Sequence, residues 1–133
     1  MADIRGVVPV DADWTDATTF ARAVGETARS SEPVGAALVW VHLPHRNPVV
    51  QALGAILPPA AYIVRLWGSG SGRPREDAAA APRPDAREMR DVFLGSMPDG
   101  HGRRWLTHDE ISRGSLRALT EDAPQQVIGE LPS

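Results

Sequence analysis

Cysteine is absent from the 133 residues, which excludes a disulfide framework, a thiolate nucleophile and a cysteine-ligated zinc or iron–sulfur centre. Lysine is absent too, because all 14 basic residues are arginine. That removes Schiff-base chemistry and any ammonium group that could relay a proton or tune a neighbouring hydroxyl. A lysine-free chain with 12 Gly and 12 Pro fits a GC-rich coding sequence. Tyrosine occurs once, as Tyr62. There is no excess of basic charge: the formal net charge is -3, whereas a nucleic-acid footprint shows as a basic patch or stripe. Long apolar runs are missing as well. The stretch from Pro48 to Val64 is broken by Gln51 and by Pro58-Pro59, and is too short to span a bilayer comfortably. The start, Met1 to Arg5, lacks the apolar core of a signal peptide. These absences predict one soluble, cytoplasmic domain with neither nucleic acid nor membrane as partner. The length and the 42% hydrophobic content suffice for a single buried core.

What is present is an alternation of strand and helix signals. Ile4 to Val10 is a short apolar run closed by Asp11-Ala-Asp13, and it reads as a strand whose Pro9 places it at an edge or an end. Thr15 or Asp13 caps a helix from about Asp16 to Ser30, with Phe20, Val24 and Ala28 four apart on one face. Val34 to Val41 is apolar throughout, the pattern of a central parallel strand covered on both faces. Asn47-Pro48 starts a helix that Pro58-Pro59 stops. Ala61 to Trp67, rich in β-branched and aromatic residues, is the third strand. Gly68 to Pro84 then reads as an exposed, flexible loop. Asp85 caps a short helix through Met89, and Val92 to Met97 forms a fourth strand. Pro98 to Gly102 is a turn cluster followed by an extended piece, Arg104 to Leu106. Thr107 and Glu110 have capping-box spacing and open a helix that offers Ile111, Leu116 and Leu119 for burial. Gln126 to Leu131 closes the chain as a strand. The order predicts an α/β domain, a truncated Rossmann-like two-layer or three-layer arrangement around a mostly parallel sheet of about five strands.

Several of these blocks resemble a known family. Val8-Pro-Val-Asp-Ala-Asp-Trp-Thr-Asp16, Ala37-Leu-Val-Trp-Val-His42 and Trp67-Gly-Ser-Gly70 are similar to the later part of short-chain dehydrogenase/reductase-type proteins. So are Val92-Phe-Leu-Gly95, Arg104-Trp-Leu-Thr-His-Asp-Glu-Ile-Ser112 and Val127-Ile-Gly129. The likeness spans nearly all of the chain but only the last half to two-thirds of such a protein. It implies an NAD(P)-binding Rossmann fold whose first strand, Gly-rich phosphate turn and second strand would precede Met1. No G-x-G-x-x-G that opens a helix after a strand occurs, and Gly68-Ser-Gly-Ser-Gly72 leads into proline and arginine. The family's Tyr-x-x-x-Lys pair is also absent.

Ligands of open α/β sheets collect at the carboxyl ends of the strands. By resemblance, Asp11 would contact an adenine, Val41 and His42 would run past a ribose, Gly68 would lie at the same edge, and Ser69 would stand near a catalytic serine's position. NAD(P) is the cofactor these residues would serve. His42-x-x-His45 with Asp11 or Asp13 has donors for a divalent metal, although exposed imidazoles need no such role. A Ser69–His42–Asp11 set lacks the G-x-S-x-G elbow of a strained nucleophile. Without the phosphate turn and the Tyr–Lys pair, the expected role is a binding or assembly module without autonomous redox catalysis. The alternative is an oxidoreductase, or a non-redox enzyme of the same crevice, completed by another chain. The strands missing from the resembled fold would leave one face of the sheet with only the C-terminal helix to cover it. The expectation is therefore a homodimer, or a partner chain, over that face, with Trp40 or Trp67 near the contact.

Overall fold

The computed structural model describes residues 9–30, 33–42, 44–68, 73–82 and 87–131. The expected strand Ile4–Val10 lies almost wholly outside them, and Pro9 and Val10 are not in a strand. Asp13 closes a local turn instead of capping a helix, accepting from the Thr15 amide and hydroxyl. The cap is Asp16, whose carboxylate accepts from the amides of Thr18 and Thr19 at the head of α1, Ala17–Arg29. Strand β1 is Ala36–Val39, α2 is Arg46–Ile56 and β2 is Tyr62–Gly68.

The segment expected to be a loop contains a helix, α3, Pro74–Ala80. Pro74 sits at its start, Glu76 and Asp77 fill the first turn, and the alanine run that follows is the strongest of helix formers. Ala78 then packs on Trp67 and Phe93. The helix anticipated from Asp85 falls partly on residues that are not described; Arg87 and Glu88 are irregular, and Met89 already belongs to β3, Met89–Leu94. That strand starts three residues before Val92. Arg90 and Asp91 interrupt the apolar pattern, yet both side chains are buried by specific partners. Gly95 then breaks the chain direction, and Ser96–Asp99 (β4) forms an antiparallel hairpin with Gly102–Trp105 (β5). Thr107 and Glu110 make the expected capping box at the head of α4, His108–Thr120, and β6 is Gln125–Ile128.

The fold is α/β, with a four-stranded parallel sheet in the order β1-β2-β3-β6 and a separate two-stranded antiparallel one. Strand alternation sorts the side chains onto two faces. Ala37, Val39, Ile63, Met89, Trp67 and Phe93 face α2 and α3, and α1 packs outside α2 through Phe20 and Val24. Val64, Leu66, Val92 and Leu94 face α4. Because α2 and α3 lie on one face and α4 on the other, the last crossover has the opposite hand to the first two. Connections of this kind are overwhelmingly of one hand. The β4–β5 hairpin is inserted into that last crossover, and it carries the chain round to the second face. Among the described residues no helix is long and apolar enough to cross a membrane.

One expectation fails in an informative way. Val34–Val41 is not a central strand: among the described residues β1 is the edge of the sheet, and only one of its faces is fully covered, with Val39 buried and Leu38 half-exposed.

Candidate functional site

The second face is only half covered. Helix α4 crosses it on Ile111, Ala118 and Leu119, over β2, β3 and β6. Gly114 permits the approach, since a β-carbon there would lie 2.2 Å from the Ile128 side chain. Leu116, expected in the core, is instead 62% exposed, because the helix turns Ser115 and Ala118 inward in its place. On the β1 side the cover is partial: α4 reaches β1, yet Leu38 and Trp40 remain 44% and 46% exposed. Between that edge and α4 runs a cleft of about 570 Å³. Leu38, Trp40 and Leu66 form one wall; His108, Ile111, Ser112, Ser115 and Leu116 form the other.

Trp40 also borders a second, smaller pocket of about 260 Å³ at the carboxyl end of β1, with Trp14, Val41, His42 and His45. The His42 ring meets Trp40 edge-on, with centroids 6.2 Å apart. Val41 and His42, two of the residues singled out in the sequence, are thus brought together here. Asp11 is exposed and lines neither cavity. Gly68 is the exposed last residue of β2, and Ser69 lies outside the described residues. Among the described residues no three His, Asp or Glu side chains gather to hold a metal ion, so His42 and His45 have no carboxylate completing a site. Asp13 lies close enough to His45 to feel its charge, but its carboxyl is held below the usual range chiefly by the Thr15 hydrogen bonds.

Beneath the pocket lies a buried polar cluster that sequence reasoning missed. Arg65 in β2 is wholly buried; its Nε and Nη2 donate to Asp91 in β3 at 2.7 and 3.1 Å, and Nη2 also reaches the Ala78 carbonyl at 3.4 Å. Trp67 donates its indole N–H to Asp91 at 2.9 Å. Arg46, at the start of α2, donates Nε to the Val41 carbonyl and lies over the Trp67 ring at 4.1 Å. Burial pushes the Arg46 guanidinium down from its ordinary value, and the neighbouring Arg65 adds to that. Trp67 is therefore a core residue, 2% exposed, and cannot stand at a surface contact as the sequence suggested. The only sequence signal for this cluster was charge inside apolar runs, at Arg65 and at Arg90-Asp91.

Tyr62, the sole tyrosine, faces the α4 side. Its hydroxyl donates to the Leu119 carbonyl, and the Arg90 guanidinium stacks on its ring at 3.8 Å. The phenol is thus spent on holding α4 to the sheet and stands apart from the pocket at the carboxyl ends of the strands. Comparison of the chain with protein-family models, with curated proteins and with solved structures finds no match.

Proposed function

We propose that this chain is a binding module and not a self-sufficient oxidoreductase. In this reading it carries the later strands of a short-chain dehydrogenase/reductase-like, Rossmann-type fold and works through the open half of its α4 face. One observation carries the proposal: Leu38 in β1 and Trp40 just beyond its end, in a run whose composition suits two-sided burial, stand half-exposed along a 570 Å³ cleft. Exposed apolar surface of this kind usually marks a binding site. The chemistry weighs the same way. The tyrosine hydroxyl is engaged at Leu119, and no lysine exists to lower its pKa. General acid catalysis of the kind that pair provides is typically worth 10²–10⁴-fold. NAD(P) chemistry completed by another chain would have to find its proton donor there.

A second reading, self-association, is favoured by Leu116. This residue protrudes beside the cleft, so one patch offers both a knob and a hole, as a two-fold contact between identical surfaces requires. Such a homodimer would bury the uncovered half-face with Trp40 at the contact. The test is a titration with Nile red, an uncharged dye that brightens in apolar surroundings, run beside light scattering. The module reading expects dye binding to a cooperatively melting monomer and its loss in Trp40→Glu. A dimer that excludes the dye would favour self-association. Ketone-dependent NADH oxidation by the isolated chain would overturn both.

A further inference from the structure

The two walls of the cleft are chemically unlike, and that difference selects a ligand. We propose that the cleft binds an uncharged, mainly apolar small molecule carrying one hydroxyl or carbonyl group. The proposal rests on the open half-face being a binding surface, and it names what that surface takes.

The volume comes first. At about 570 Å³ the cleft falls within the roughly 300–1,000 Å³ of ordinary small-molecule sites. Charge comes next: no Asp, Glu or Arg side chain lines it. A phosphate, a nucleotide or a carboxylate would give up its water there and meet no guanidinium in exchange, only the imidazole of His108. The two acids nearest the mouth, Asp109 and Glu110 in the first turn of α4, are already paired with Arg113 and Arg104.

The polar wall then supplies the recognition. His108, Ser112 and Ser115 recur at intervals of four and three residues, so they lie in one line along α4. Ser115 is 4% exposed, and its buried hydroxyl has no hydrogen-bond partner. A serine or threonine inside a helix commonly satisfies itself on a carbonyl of the preceding turn. Thr120 does so in the same helix, on Leu116 and Arg117, and Thr27 does so in α1 on Ala23. Ser115 does not, although buried polar groups are nearly always paired. Ser115 lines the cleft, and a turn of its side chain that brings the hydroxyl to the cavity surface would give it the partner it lacks, a ligand hydroxyl or carbonyl. The facing wall, Leu38, Leu66 and Trp40, is apolar and takes the body of the molecule, with the indole placed for a ring.

Three matched probes test this on the intact chain: 4-propylphenol, propylbenzene and 4-propylbenzoate, each titrated by amide NMR. Propylphenol should shift the amides of Leu38, Leu66 and Ser112 to Leu116, while the benzoate should leave them unmoved. In Ser115→Ala the affinity ratio of propylphenol to propylbenzene should fall roughly fivefold, the worth of one hydrogen bond. Propylbenzene itself should bind that variant unchanged. Removing an unpartnered hydroxyl from a helix leaves the fold intact, and Trp40→Ala, at the mouth, should weaken both neutral probes alike. If propylbenzene binds the cleft but the ratio ignores Ser115, or the benzoate binds as well as the phenol, this proposal fails while the binding-surface reading stands. If neither Nile red nor any probe reaches the cleft, both fail. A dimer whose contact shifts the same amides and shuts out propylphenol overturns the proposal in favour of self-association.

Discussion

The two faces of one four-stranded sheet are built from similar residues and meet different fates. Against the first face, α2 and α3 close over Ile63, Met89, Trp67 and Phe93, with α1 packed behind. Even the charges there are drawn in: Arg65, Asp91 and Trp67 form one hydrogen-bonded group with nearly no exposure, in which Arg65 Nη1 lacks a partner. The second face carries an equally apolar row, Leu38, Val64, Leu66, Val92 and Leu94, but one helix serves the whole of it. Helix α4 covers the β3 side and reaches β1 without closing over Leu38 and Trp40. Hydrophobic sequence therefore marks what is able to be buried, and the number of helices per face decides what is.

This contrast predicts that stability resides in the first face. Asp91→Ala should cost the most, about 3–5 kcal/mol by urea denaturation, because it strands the buried Arg65 guanidinium. Replacing the pair together, Arg65→Met with Asp91→Leu, should recover most of that loss; a double variant as unstable as the single one would mean that the pair is more than self-compensating. A smaller loss is expected at the end of α2. Arg87 donates to the carbonyls of Gly54, Leu57, Pro58 and Ala61, closing the helix that covers this face. Arg87→Met should cost about 2 kcal/mol, the range for hydrogen bonds to a charged group, and should speed amide exchange in Ala52 to Leu57 before the rest of the chain.

Much of the fold was legible in the sequence, and the failures share a cause. Elements set by local chemistry were readable: the Thr107–Glu110 capping box, the β-branched run of β2 and the existence of α2 each follow from a few residues, although α2 opens at Arg46 after His45 and Asn47 does not cap it. Elements set by distant partners were not. The first half of β3 was hidden because Arg90 and Asp91 look like loop residues until Tyr62 and Arg65 are placed beside them. Helix α3 has local signals in Pro74, Glu76, Asp77 and its alanines, but they sit in a Gly-, Pro- and Arg-rich stretch, and the packing of Ala78 on Trp67 and Phe93 decides that they are used. The site was half legible. Val41 and His42 line one small pocket, while Ser112 and Ser115 read as ordinary helix residues. Only the packing shows that one of them lies buried without a partner.

On the α4 side, Arg90 is buried against Tyr62, but the pair at the head of the helix lies at the rim and is wet. Glu110 accepts both guanidinium nitrogens of Arg104 at 2.8 and 3.1 Å and the Thr107 amide at 2.8 Å, which holds its carboxyl well below the ordinary 4.5, at about 2. A folded pKa below the unfolded one stabilises the fold fully above about pH 4.5, and that contribution disappears as pH falls toward 2. In Glu110→Gln the acid limb of the stability–pH curve should flatten over that window, by less than either first-face substitution costs at neutral pH. An unchanged acid limb would show that the pair and its cap are too solvated to matter.

The smallest effect is the sharpest test of the contrast. If the β1 half of the second face stands open in the working fold, its apolar side chains contribute little to stability. Leu38→Thr and Leu116→Gln should then fall within about 0.5 kcal/mol of the parent, as substitutions at exposed positions do. Threonine introduces a β-branch that a strand favours, and glutamine is nearly as good a helix former as leucine, so neither backbone is disturbed. Val64→Ala, one residue pair inward on the same face and fully buried, should by contrast cost at least 1 kcal/mol. The two exposed substitutions should instead register as weaker Nile red binding. A loss of stability at Leu38 or Leu116 as large as that at Val64 would mean that these side chains are already covered in solution. The melting temperature would then rise with protein concentration if the cover is a second copy of the chain.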